Sequence, residues 1–135
     1  VELKLSTKAD YCSNYTPAET SRFCNGSDIE IFNKKLLLDI NRFFNNDNDL
    51  EHVTFPLWDG RMKDIVHYRM TPDCTQDYSD VRITLDYQND LLVLRRLLDY
   101  LDDIYAPLSS IVEAYRHLGL QNLNGSYHYS EGWEP

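Results

Sequence analysis

The chain has 135 residues, of which 42% are hydrophobic and 26% charged, a balance that belongs to folded globular proteins and not to disordered or fibrous ones. Its length sets one domain as the expectation. A formal net charge of −9 opposes nucleic acid and acidic membranes as partners, because carboxylates repel phosphate within a Debye length. A small phosphorylated ligand is still admissible, since a metal ion and a few local cations reverse the sign inside one cleft.

Residues 1–10 alternate charge and hold no apolar stretch of signal-peptide length, and no apolar run is long enough to span a bilayer. The cysteines, Cys12, Cys24 and Cys74, are odd in number and form no CxxC pair, which argues against a disulfide framework and a structural zinc site. Free thiols in a reducing cytoplasm are expected, with a Cys12 to Cys24 bridge across a hairpin as the alternative.

In chain order, residues 9–13 are extended in character and the polar segment 14–27, with Pro17 and Gly26, reads as a long loop. Residues 28–32 alternate polar and apolar side chains, so a strand there puts Asp28, Glu30 and Phe32 on one face and Ile29 and Ile31 on the other. Helical spacing follows over 34–45, with Leu37, Leu38, Ile40, Phe43 and Phe44 on a broad apolar side, and the Asn-Asn-Asp-Asn-Asp run ends it. A short helix over 50–58 should stop near Pro56. Residues 64–70 read as a strand, 71–79 as a polar connection, and 81–86 as a strand that delivers Asp86 to its end. From Asn89 the leucines 91, 92, 94, 97, 98 and 101 recur at helical spacing, with Asp90, Arg95, Arg96 and Asp99 toward the other side. A last helix over 108–118 can be capped by Gly119, and residues 124–135 read as a polar, aromatic, extended tail. These changes of period point to an α/β or α+β arrangement, not a bundle.

Several polar residues have two readings each. Asp86, at a strand end before a long helix, suits a hard cation in the crevice of an α/β sheet, or caps the helix. Asp28 and Glu30 on one strand face suit hydrogen bonding to a polar ligand, or stay solvated or pair with a neighbouring lysine. Glu51 and His52 can orient a ligand, or make a helix-start hydrogen bond and pack. Arg82 shares a strand face with Asp86 and pairs either with that carboxylate or with a phosphate. Asn14 follows a strand and contacts substrate or opens a loop. His67, His117 and His128 have no metal-ligand spacing, and Ser109 and Ser110 sit at a helix start with no nucleophile motif around them.

Four stretches occur in a telling order: Ala9-Asp10-Tyr11-Cys12-Ser13-Asn14, then Gly26-Ser27-Asp28-Ile29-Glu30-Ile31-Phe32, then Glu51-His52-Val53-Thr54, then Arg82-Ile83-Thr84-Leu85-Asp86-Tyr87-Gln88-Asn89-Asp90-Leu91. Together they resemble the C-terminal part of the nucleotidyltransferase family that includes spore coat polysaccharide biosynthesis cytidylyltransferases and is related to the acylneuraminate and ketodeoxyoctonate cytidylyltransferases. The corresponding family segments are Ala-Asp-Tyr-Val-Ser-Asn, Gly-Leu-Asp-Val-Glu-Val-Phe, Glu-His-Val-Thr and Arg-Leu-Thr-Leu-Asp-Tyr-Pro-Glu-Asp-Leu. Gln88-Asn89 replaces the usual Pro-Glu, and Cys24-Asn25 stands where Pro-Asp or Pro-Glu often precedes the glycine. The family's N-terminal loop, of the type Gln-Ala-Arg-x-x-Ser-x-Arg-Leu-Pro-x-Lys, is not found in these 135 residues.

The resemblance implies an α/β fold: the C-terminal portion of a three-layer nucleotide-diphospho-sugar transferase-like domain, with a mixed sheet and flanking helices. Residues 1–123 would belong to that domain, Val1 falling inside it, and 124–135 to the tail. It also implies transfer of CMP from CTP to a sugar for surface polysaccharide synthesis, assisted by Mg2+ that bridges phosphate oxygens. Asp86 would be a metal ligand, and Asn14, Asp28, Glu30, Glu51, His52 and Arg82 would bind substrate. Catalysis would then require an N-terminal nucleotide-binding half, with a homodimer or that complementing half as partner. A non-catalytic interaction subunit built on the leucine-rich helix, and a carbohydrate-binding module built on the aromatic tail, are the competing readings.

Overall fold

A computed structural model of the chain describes residues 9–14, 22–58, 61–62, 67–69 and 76–127, which fall into two compact units: one holds 9–14, 29–58, 61–62 and 67–69, the other 22–28 and 76–127. No helix among these residues is long and apolar enough to cross a membrane. Cys12 and Cys24 are buried free thiols, and Cys74 lies outside the described residues.

The first unit is organised by a three-stranded mixed sheet. Strand β1 (Tyr11–Ser13) lies between β2 (Glu30–Phe32) and β3 (His67–Arg69), antiparallel to β2 with Tyr11 opposite Phe32, and parallel to β3 with Tyr11 opposite His67. Helix α1 (Lys34–Phe43) starts where the Asn33 side chain accepts a hydrogen bond from the Leu36 N–H at 2.8 Å, satisfying one of the orphan amides of the first turn. Its buried stripe is Leu36 and Ile40, packed with Tyr11 and Leu57; Leu38 and Phe43, expected inward from periodicity, are exposed. The polar run after it both ends α1 and begins α2 (Asp47–Glu51), because Asn46 accepts from the Asp49 N–H. The single helix expected over 50–58 is two short ones, with α3 (Phe55–Trp58) taking Pro56 in its first turn, where a missing N–H costs nothing.

In the second unit, Asn25 pairs in parallel with Arg82, its N–H donating to the Val81 carbonyl at 2.9 Å and its carbonyl accepting from the Ile83 N–H at 2.8 Å. This corrects two expectations. Residues 24–26 are not plain loop, and 81–86 is a single bridge followed by a turn instead of a strand. The close approach explains Gly26, whose φ is +99° and whose hypothetical Cβ would stand 2.7 Å from the Ile83 and Thr84 backbone.

Helices α4 (Gln88–Leu101), α5 (Leu108–His117) and α6 (Gln121–Asn124) complete the second unit around a core of Val81, Val93, Leu97, Val112, Tyr115 and Leu120. The inward stripe of α4 is Asp90, Val93 and Leu97, whereas Leu92 and Leu98 are exposed, so the leucine spacing points about one residue off the true core face. Helix α5 ends as Gly119 allows: with φ at +63°, the Gly119 N–H reaches the Arg116 carbonyl and the Leu120 N–H reaches that of Tyr115, the two bonds of a Schellman motif. The expected boundary at 123/124 falls inside α6. Asn124 is fully buried and not part of an extended arm, and residues 128–135 lie outside the described residues.

Candidate functional site

The turn from Arg82 to α4 gathers the densest polar network among the described residues, and Asp90 is its centre. As the third residue of α4, Asp90 turns its carboxylate back on the helix start, where Oδ2 accepts from the backbone N–H groups of Asp86 at 3.0 Å and Tyr87 at 3.1 Å. Arg82 donates to the same carboxylate in a two-pronged pair, Nε to Oδ1 and Nη2 to Oδ2, each at 3.0 Å. Both side chains are out of water, at 7% exposure for Arg82 and none for Asp90. Burial pushes the Asp90 carboxyl up, but hydrogen bonds from Arg82, Asn124 and the Asp86 and Tyr87 amides outweigh it and hold it down at about 2.

Asp86 stands at the outer end of this network. Its side chain is 62% exposed, its Oδ2 accepts from Arg82 Nη2 at 2.9 Å, and its Oδ1 has no hydrogen-bond partner among the described residues. The strand-edge placement expected for it is therefore replaced by a position in the turn before α4, since its amide is claimed by Asp90. A groove of about 870 Å³ runs between the end of α4 and α5, lined by residues such as Tyr78, Tyr100, Ser109, Glu113 and His117, and Asp86 does not line it. Above Arg82 the rings of Tyr87 and Tyr127 stack with centroids 4.2 Å apart, and the guanidinium carbon lies 5.6 and 5.3 Å from those centroids.

A second group of polar residues forms in the first unit. Glu30 Oε1 accepts from the Tyr11 hydroxyl at 2.7 Å and the Thr54 hydroxyl at 3.0 Å, while Oε2 has no partner among the described residues. Asn14 continues the β1–β2 ladder with its side chain: Oδ1 accepts from the Ile29 N–H at 2.6 Å, and its own N–H donates to the Ile29 carbonyl. Glu51 is exposed at the end of α2, and His52 packs against Phe55 with ring centroids 6.4 Å apart. Asp28, which belongs to the second unit, is exposed and accepts from the Gly26 N–H at 3.3 Å.

Of the residues named from sequence, the structure joins Arg82 to Asp86 in the second unit and ties Asn14 and Glu30 to the β1–β2 pair in the first. Residues that sequence did not single out carry the scaffolding: Tyr11 and Thr54 for Glu30, and Asp90 and Asn124 for Arg82. Thr54 lies in the Glu-His-Val-Thr stretch, and Asp90 in the stretch around Asp86, but neither has a spacing signal of its own.

Among the described residues no group of three or more His, Cys, Asp or Glu is placed to hold a metal ion. Asp86 alone fits one ligand position of Mg2+, which takes one or two carboxylates and fills its remaining positions with water and substrate phosphates. Its unengaged, solvent-facing Oδ1 meets that requirement.

The chain is similar in fold to a solved cytidylyltransferase from Leptospira borgpetersenii serovar Hardjo-bovis (strain JB197), with a TM-score of 0.73 and 19% sequence identity over 93% of this chain and 50% of that one. The likeness is one of fold, and the chain spans about half the length of that structure. No protein-family model and no curated protein sequence matches the chain.

Proposed function

We propose that this chain is the sugar-binding and metal-carboxylate part of a nucleotidyltransferase that transfers CMP from CTP to a sugar hydroxyl, supplying nucleotide sugar for surface polysaccharide. The observation that carries the reading is the cytidylyltransferase fold over nearly the whole chain. The four ordered sequence stretches support it independently. In this reading the three-layer domain is completed, and the triphosphate held, by a nucleotide-binding half outside these 135 residues, so that the chain by itself is inactive. A homodimer in the cytoplasm is part of the same proposal.

The chain's own residues have defined tasks in such a reaction. Asp86, anchored through one oxygen, would offer the other as a ligand to Mg2+. When bound, that ion supplies neutralisation of charge on the phosphate oxygens and alignment of the attack. Glu30, held through Oε1 by two hydroxyls, offers Oε2 to a sugar hydroxyl, and Asn14, Asp28, Glu51 and His52 are the further candidates for sugar contacts. Arg82 is committed to carboxylates on the inside of the turn, so its role is to hold Asp86, not to bind phosphate directly.

The decisive assay mixes the chain with a cytidylyltransferase N-terminal half and measures pyrophosphate release from CTP and candidate sugars. Magnesium-dependent release that requires both pieces is expected. A mixture that assembles yet gives no release with any acceptor contradicts the reading. The competing interaction-subunit reading draws on exposed Leu98, Tyr100, Ile104 and Tyr105 around the end of α4, and a stable association without turnover would favour it.

A further inference from the structure

We propose that Asn124, on α6 and 34 residues beyond Asp90, is a positioning residue for the Asp86 carboxylate, acting through Asp90 and Arg82; the proposal rests on the metal reading of Asp86 given above. The connection is continuous. The Tyr115 hydroxyl donates to Asn124 Oδ1 at 2.7 Å, which fixes the amide so that Nδ2 points the other way. Nδ2 then donates to Asp90 Oδ1 at 2.9 Å and to the Arg82 backbone carbonyl at 3.1 Å. One buried side chain thus grips both members of the ion pair, the carboxylate of one and the main chain of the other. Arg82 Nη2 passes the constraint to Asp86 Oδ2.

Two features set this apart from a plain structural tie. Asp90 already offers both its oxygens to the guanidinium, so a buried pair needs no third member at the surface, yet Nη2 is shared with the mostly exposed Asp86. The sharing also leaves one Asp86 oxygen fixed and the other unengaged, the arrangement in which a ligating carboxylate is held by a supporting hydrogen bond. A second clamp comes from the same C-terminal segment. Asn89 Nδ2, in the first turn of α4, donates to the Leu123 carbonyl at 2.9 Å, and the Tyr127 ring covers that of Tyr87. The sequence after α5 therefore closes over the Asp86 turn from outside its own motif.

The test reads the Asp86 side-chain torsion from three-bond couplings to its carboxyl carbon in the isotope-labelled full chain, then, with a cytidylyltransferase nucleotide-binding half added, follows paramagnetic broadening of its amide by Mn2+ with CTP. Wild type should show a single Asp86 rotamer. Asn124→Ala should average that rotamer and require about tenfold more Mn2+ for equal broadening, the usual penalty for losing a group that orients a metal ligand. Tyr115→Phe, which keeps the ring and removes only the hydroxyl that fixes the Asn124 amide, should move both readouts in the same direction by less, and serves if Asn124→Ala does not fold. A fixed rotamer and unchanged broadening in a folded variant would overturn the positioning role while leaving the metal reading intact. No broadening at Asp86 in the wild type would overturn both.

Discussion

Glu30 in the first unit and Asp86 in the second are both anchored through one oxygen, yet by opposite means. Glu30 leans on two neutral hydroxyls, those of Tyr11 and Thr54. Asp86 leans on a guanidinium that is itself buried and already paired with Asp90. Neutral donors orient a carboxylate cheaply, and losing one costs a single hydrogen bond. A buried cation orients it more firmly, but must be held by a second carboxylate, and that carboxylate by Asn124 and two amides. The firmness at Asp86 is therefore a property of the second unit's interior, whereas that at Glu30 belongs to one strand and its neighbours.

The sharpest way to break this contrast is Asp90→Ala, which leaves the Arg82 charge buried without its main partner. It should lower stability by about 3–5 kcal/mol in urea unfolding of the chain. A loss near that of a surface substitution would show that water reaches Arg82 and that the second unit is no firmer than the first.

Acid should act on the same pair. Asp90 titrates at about 2 when folded, below its unfolded value, so its stabilisation is complete above about pH 4 and disappears as pH falls toward 2, an effect of about 2 kcal/mol. Unfolding midpoints measured from pH 5 to pH 2 should show this fall, and Asp90→Asn should flatten it.

Thr54→Val tests the first unit, removing one of two donors from half-buried Glu30. A cost of about 1 kcal/mol is expected, again by urea unfolding. The smallest change in stability belongs to Asp86→Ala, at or below about 0.5 kcal/mol, because the Asp86 side chain is itself mostly exposed and Arg82 keeps Asp90.

The sequence pattern made some of this architecture legible. Alternation around Glu30 found β2, the Gly119 stop found the end of α5, and the spacing of Arg82 to Asp86 anticipated their pairing. What failed did so for physical reasons. Leucine spacing placed Asp90 on the polar side of α4, because a buried charged residue breaks the apolar pattern that periodicity reads. Asn124 reads as tail, because a four-residue helix has no period and its burial depends on a partner 34 positions earlier. The strand expected over 81–86 shrank to a bridge, because the Asp86 and Tyr87 amides serve Asp90 and not a neighbouring strand.

The most direct test of the central claim is magnesium-dependent pyrophosphate release by the chain complemented with a nucleotide-binding half, with Asp86→Ala compared against wild type at equal folded concentration. The account predicts a loss of at least about 100-fold with the fold undisturbed, since an ion held by Asp86, as proposed, would supply several kcal/mol of charge stabilisation. Turnover within a few-fold of wild type would contradict it.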